Sequence, residues 1–326
     1  MKKILVIRFS SIGDIVLTTP VVRCLKNQLK DIELHVLTKN KFSNLYKRNP
    51  YVDKVFEFDN SIKDNIRELK TENYDYIVDL QKNKRSKRVT ASLRSPYSSF
   101  PKLNFKKFLL ATFKINLMPD IHIVDRYFEA VKDLGVKNDF KGLDFFISPE
   151  NQYDITELPF GFQNGYYAFV IGGTYKTKIL PAVKIVEVIK KLDEPVVLLG
   201  GPDDIERADE VLSSVNENVI SLVGKINLEQ SASLVKMSKS VLTNDTGLMH
   251  IAAAFHKNIV SVWGNTVPEL GMYPYLPNED EKCHIVECKD VKCRPCSKLG
   301  FKECPRKHFR CMMEIDTDAV VERLRK

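Results

Sequence analysis

No apolar run in this 326-residue chain reaches the roughly 20 residues that a helix needs to cross a bilayer, and only Met1, Lys2 and Lys3 stand before the first apolar run at Ile4. The chain therefore reads as a soluble, cytoplasmic protein. It also lacks GxGxxG: the first polar turn carries Gly13 alone, so a dinucleotide cradle there is unsupported. No RNP or helix-turn-helix pattern occurs, which leaves nucleic-acid binding without a motif. Cysteine is absent before residue 283 except for Cys24, and then six fall between Cys283 and Cys311. What is present is apolar content, 44% of residues, enough to fill two ordinary α/β cores.

Strand-like runs alternate with helical intervals from the start. Residues 1–8 form an apolar run typical of a strand covered on both faces, and residues 32–37, 54–58 and 74–80 read as further strands of the same sheet. Between Arg85 and Pro119 the pattern blurs into loops and a short helix, as in an insertion. Residues 123–134 read as one amphipathic helix ending at Gly135. The turn-rich stretch 147–165 reads as a linker. A second series opens with residues 166–171 and continues through 195–204 and 240–255. The resulting division is 1–155, 156–312 and a terminal helical segment 313–326 expected to pack back toward the first domain.

The segment 240–255 is the most informative. A buried strand runs into Asn244, Asp245, Thr246 and Gly247, then into a helix rich in small residues. In an open α/β sheet such a turn offers unpaired helix N–H groups and the positive end of the helix dipole to an anion. Met249 and His250 stand on the first turn, within reach of a ligand. The alternative is that Asp245 or Thr246 merely caps the helix. Asp14 has the same two readings. It lies just past the first strand, where a carboxylate can accept a proton from a hydroxyl nucleophile, or it caps the helix that follows. Pro20 either opens a helix capped by Thr19 or kinks one begun at Asp14.

Lys84, Arg85 and Arg88, with Lys82 and Lys87, make a basic cluster in a chain of net charge +8. It suits a polyanion, whether a phosphorylated glycolipid, a membrane surface or nucleic acid, or it is a solvated face.

Four stretches together resemble glycosyltransferase family 9, the ADP-heptose:lipopolysaccharide heptosyltransferases and their relatives: RFSSIGDIVLTTP at 8–20, GGTYKTKILP at 172–181, LLGGPDD at 198–204, and the run from 222 to 255 continued by SVWGNT at 261–266 and GMYPY at 271–275. The resemblance implies a GT-B fold, two Rossmann-like domains with parallel sheets, the acceptor on the first and the nucleotide sugar mainly on the second. It implies an inverting, metal-independent transfer of heptose, most simply from ADP-heptose, to a lipopolysaccharide-core acceptor, with contact to the inner membrane surface and none to nucleic acid. On that pattern Asp14 is the base, with Ser11 and Gly13 beside the acceptor. Lys178 stabilises the departing diphosphate, with Gly173, Thr174, Asp245, Thr246, Gly247 and Thr266 around it. Lys176 is a rival for Lys178, since on an extended segment both would point the same way. Leu180 and Asn265 replace the family's tryptophan and proline. Asp204 stands near a ribose-binding glutamate of the family, one methylene shorter, or caps the next helix.

Cys293, Cys296, Cys304 and Cys311 are spaced C-x2-C-x7-C-x6-C. Three states remain open for them: a structural zinc, free or redox-active thiols, and disulfides, which are less expected in cytoplasm. No cofactor is required for the reaction implied. A nucleotide-sugar hydrolase or epimerase on the same scaffold and a non-catalytic nucleotide- or RNA-binding protein are the competing functions.

Overall fold

The computed structural model describes residues 1–59 and 61–326, and they gather into two compact units. The first comprises residues 1–102 and 121–146, the second 103–120 and 147–326. The break after Phe146 falls at the head of the stretch read as a linker.

The first unit holds β1 (Lys2–Ile7), β2 (Ile32–Lys39), β3 (Lys54–Phe58), β4 (Tyr76–Asp79) and β5 (Tyr97–Ser99), all parallel in the order β3-β2-β1-β4-β5. Ile4 through Ile7 are fully buried, as a strand with helices on both faces requires. Leu5, Ile7, Phe9, Phe56 and Ile77 share one core cluster with Leu69 and Val89 from the flanking helices.

The second unit holds β6 (Tyr167–Val170), β7 (Val196–Leu199), β8 (Val219–Ser221), β9 (Ser240–Asn244), β10 (Asn258–Trp263) and β11 (Cys283–Glu287). All are parallel, in the order β11-β10-β9-β6-β7-β8. Strand order therefore reverses between β1 and β4 in one unit and between β6 and β9 in the other. Ligands bind at such points, beyond the carboxyl ends of the strands.

Several local expectations resolve differently. Helices Ile12–Val16 and Thr19–Gln28 are separate, and Pro20 occupies the first turn of the second with Thr18 as its N-cap. The expected helix 123–134 stops at Phe128 and resumes as a single 3₁₀ turn, Lys132–Leu134, before Gly135 in the left-handed region. The Ser98 hydroxyl takes the Ala130 carbonyl, an acceptor that a continuous helix would have used itself. The stretch expected to be loops and one short helix contains two ten-residue helices, Lys84–Leu93 and Asn104–Phe113, with β5 between them. The terminal helix Thr317–Leu324, expected to pack toward the first domain, spends its apolar stripe on the second unit: Val320, Val321 and Leu324 join that unit's core.

Candidate functional site

In the second unit, β6 empties into Gly172-Gly173-Thr174 and β9 into Asp245-Thr246-Gly247, side by side at the strand-order reversal. Asn244 joins these two ends. Its buried amide donates to the carbonyls of Val170 and Gly172, at 3.3 and 3.2 Å, and accepts the Leu180 N–H at 3.0 Å. Sequence reasoning placed Asn244 in the turn and gave it no role. A carboxamide, with donors and an acceptor on one group, is what the three-way tie demands.

Asp245 is the electrostatic centre of this edge. Its Oδ2 accepts from Lys178 Nζ at 2.5 Å and from the Thr266 hydroxyl at 3.0 Å, and the lysine and aspartate side chains are only 16% and 12% exposed. Lys178 therefore reaches the helix-247 terminus, whereas Lys176 is exposed. The segment is a 3₁₀ turn, Lys176–Lys178, and not extended, so the two lysines diverge. Thr246 is the N-cap of helix Gly247–Ala254 but makes no capping bond, and its buried hydroxyl has no partner among the described residues. Both polar side-chain atoms of buried Asn265 are likewise unpartnered among them. The capping explanation of Asp245 and Thr246 thus fails at the side-chain level. The helix N–H groups, a nearby ammonium and two buried polar groups without partners share one corner.

Gly173 makes that corner possible: a Cβ there would stand 3.1 Å from Ile179 and 3.3 Å from the Thr246 methyl. Thr174 is exposed beyond it. Asp204, in contrast, is committed locally. Its Oδ2 accepts the Gly201 N–H at 3.0 Å and its Oδ1 pairs with Arg207 at 2.8 Å. Met249 and His250 turn inward and are buried.

Two braces escaped the sequence reading. Arg294 donates to the carbonyls of Trp263, Gly264, Thr266 and Cys288 and pairs with Glu287, fixing the loop that carries Asn265 and Thr266. The Thr177 hydroxyl exchanges hydrogen bonds with the backbone of Phe301, at 2.8 and 3.1 Å, holding the Lys176–Lys178 turn. All seven cysteines of the chain are free. Cys293 Sγ lies 3.7 Å from His308 Nε2 and Cys296 Sγ 3.1 Å from the Cys293 carbonyl. Burial, then the neighbouring Cys293 thiol, pushes Cys296 up to about 11. Among the described residues no three His, Cys, Asp or Glu side chains form a group ready to hold a metal.

In the first unit Asp14 sits on the first turn of helix Ile12–Val16. Its Oδ1 meets Arg8 at 2.6 Å, and its Oδ2 accepts from the backbone and hydroxyl of Ser11 at 3.2 and 3.0 Å. The Asp14 side chain keeps 28% exposure while Arg8 is buried, held by the Leu80 carbonyl at 2.6 Å and the Tyr127 hydroxyl at 3.1 Å. Burial opposes ionisation of Asp14, but Arg8 and the Ser11 bonds outweigh it and hold the carboxyl below its ordinary range. Asp14 thus closes a capping box with Ser11 and presents a carboxylate that is ionised at neutral pH. Ser11 is exposed, and Gly13 is buried in the same turn. Lys84, Arg85, Lys87 and Arg88 are exposed along one side of the helix Lys84–Leu93, whose N-cap Asn83 accepts from the Arg85 and Ser86 N–H groups. Ser86, Val89 and Thr90 occupy the buried side.

The Campylobacter coli lipopolysaccharide heptosyltransferase 1 is 26% identical over 293 residues, covering 81% of this chain and 84% of that one. A Campylobacter jejuni lipooligosaccharide heptosyltransferase 2 is 23% identical over 322 residues, covering 95% and 93%. Among solved structures, the Escherichia coli ADP-heptose LPS heptosyltransferase II superposes with a TM-score of 0.74 at 21% identity over 100% of this chain and 98% of that one. An E. coli heptosyltransferase solved with ADP gives 0.68 at 22%, over 98% of each chain. The fold is that of the GT-B heptosyltransferases. The profile described as glycosyltransferase family 9 (heptosyltransferase) matches residues 63–302, most of the chain, and the chain belongs to that family.

Proposed function

We propose that this glycosyltransferase moves a heptose from ADP-heptose to a lipopolysaccharide-core acceptor with inversion at the anomeric carbon. The observation that carries the donor half is the convergence of Lys178, Asp245, Thr266 and the unfilled N-terminus of helix Gly247–Ala254 at the β6/β9 reversal. An ammonium held there by one carboxylate, with helix N–H groups beside it, is suited to a diphosphate whose charge grows as the glycosidic bond breaks. Gly173 lets the backbone approach, and the hydroxyls of Thr174 and Thr246 add hydrogen bonds.

In the reaction so read, the acceptor oxygen forms a bond to the anomeric carbon on the face opposite the diphosphate. The bond from that carbon to the diphosphate oxygen breaks, ADP leaves with the electron pair, and the acceptor proton passes to Asp14. Because Arg8 makes Asp14 a weak base, proton transfer runs with C–O bond formation and not ahead of it. Every charge in this scheme is met by side chains and helix N–H groups. The basic face of helix Lys84–Leu93 receives the anionic acceptor. A nucleotide-sugar donor and a glycolipid acceptor place the protein in the cytoplasm, beside the inner membrane.

A thermal-shift screen of ADP-, GDP-, UDP- and dTDP-linked sugars tests the donor. The ADP-linked sugar is expected to raise the melting temperature most, by mass action on the folded state. Stronger stabilisation by another nucleotide removes ADP-heptose. Turnover of the donor at the full rate with no acceptor present would favour a hydrolase.

A further inference from the structure

The helix Asn104–Phe113 is turned the wrong way round for a protein in water. Leu110 is buried, against Val267, Leu270 and Met118. Phe105, Phe108 and Phe113, at the i, i+3 and i+8 positions, face outward with 71%, 50% and 59% of their surface exposed, and Leu109 lies among them. Phe108 and Phe113 meet edge to face at 5.8 Å, so the rings form one patch. Ile115 and Leu117 just beyond are also about half exposed, at 49% and 52%. An apolar patch of this kind on a soluble protein marks a surface that something covers.

The charges indicate what covers it. Residues 103–119 contain Lys106, Lys107 and Lys114 and no acidic residue; Lys114 is tied to the Ala111 and Pro295 carbonyls, while Lys106 borders the aromatic face. Aromatic and aliphatic side chains along one face, bordered by a lysine in a segment without acidic residues, are the composition of a helix lying in a bilayer interface with its rings at the headgroup boundary. The lysines complement the negative potential of an anionic lipid surface. No helix among the described residues is long and apolar enough to cross a membrane. We propose that this segment docks the protein on an anionic membrane surface, with Phe105, Phe108 and Phe113 inserted and Lys106, at the border of the aromatic face, over lipid phosphates. The inference needs neither the donor nor the chemistry proposed above, so each can fail without the other.

The full chain, without nucleotide, would be sedimented with sucrose-loaded vesicles of phosphatidylcholine containing phosphatidylglycerol, and with vesicles of phosphatidylcholine alone. Binding to the anionic vesicles is expected, weaker to the neutral ones and weaker at high salt. Phe105→Ser/Phe108→Ser/Phe113→Ser should lower the partition coefficient by on the order of ten-fold per ring, in line with the area each removes from water. Its melting temperature and ADP affinity should match those of the unaltered protein, showing that the fold survives. Lys106→Ser, outside the apolar face, should lose part of the anionic preference only. Absence of binding by the unaltered protein, or equal binding by the triple variant, overturns the proposal. So does self-association that the triple variant abolishes without any vesicle binding, which would give the patch to a second copy of the chain.

Discussion

Lys178→Ala is the most informative single substitution. In the structure Lys178 Nζ is 2.5 Å from Asp245 Oδ2 and mostly buried, so removing it does two things. It deletes the cation offered to the diphosphate, and it leaves Asp245, 12% exposed, holding only the Thr266 hydroxyl. A unit charge about 4 Å from another at an effective dielectric constant of about 20 interacts by about 4 kcal/mol, which bounds the direct loss. The net value of a charged hydrogen bond after desolvation is about 1.5–3 kcal/mol, or a 10- to 150-fold rise in Kd for ADP. The loss in turnover should be larger, about 100- to 1,000-fold, because the leaving group carries more charge in the transition state than in the bound donor. Lys176→Ala, at an exposed position with no contact to Asp245, should change Kd by less than about threefold, the scale of an exposed ion contact. Asp245→Asn in the Lys178→Ala background should recover part of the ADP affinity, since it removes the bared carboxylate. Isothermal titration of ADP against the three variants, with single-turnover transfer rates, measures all of this. ADP bound by Lys178→Ala within twofold of the unaltered protein, or a larger effect at Lys176, refutes the assignment.

Asp14→Asn should cost about 100- to 10,000-fold in transfer rate with little change in donor affinity. Its pH dependence follows from the direction of the shift. Burial opposes the charge, but Arg8 and Ser11 hold the folded pKa below the ordinary value of about 3.9, so the carboxylate is available throughout the neutral range. The stability it supplies is present above the unfolded pKa and is lost as pH falls through the folded one, and a urea titration of Asp14→Asn should lack that acid limb. Gly172→Ala would put a Cβ 2.1 Å from Asp204 Oδ2 and should destabilise by about 1–3 kcal/mol, read as a lower melting temperature. Replacing Lys84, Arg85 and Arg88 together by Ser should raise the KM for an anionic acceptor and weaken its salt dependence, leaving the KM for the donor nearly constant in steady-state assays.

Much of the fold was legible because parallel strands buried on both faces leave continuous apolar runs, and β1, β2, β3, β6 and β9 all fall where such runs lie. The turn at Asp245 to Gly247 was legible for the same reason, since it follows such a strand directly. The helix break after Phe128 was not, because there the Ala130 carbonyl accepts from the Ser98 hydroxyl, some 30 positions away. Nor was the role of Asn244, which depends on Val170, Gly172 and Leu180 meeting it across the sheet. Asp204 had two readings, a ribose contact or a helix cap, and its partners, Gly201 and Arg207, are local and visible only in three dimensions. The spacing to Pro181 favoured Lys178 over Lys176, although on an extended segment both would point the same way. In the 3₁₀ turn Lys178 pairs with Asp245 while Lys176 is exposed.

The most direct test of heptose transfer is to incubate the protein with ADP-heptose and a heptose-deficient lipopolysaccharide core and to follow the anomeric proton and carbon by NMR. The account predicts acceptor-dependent release of ADP and a new glycosidic linkage of inverted configuration, formed by the unaltered protein and abolished to within the background by Asp14→Asn. A product that retains the donor configuration, or ADP release that is indifferent to the acceptor, contradicts it.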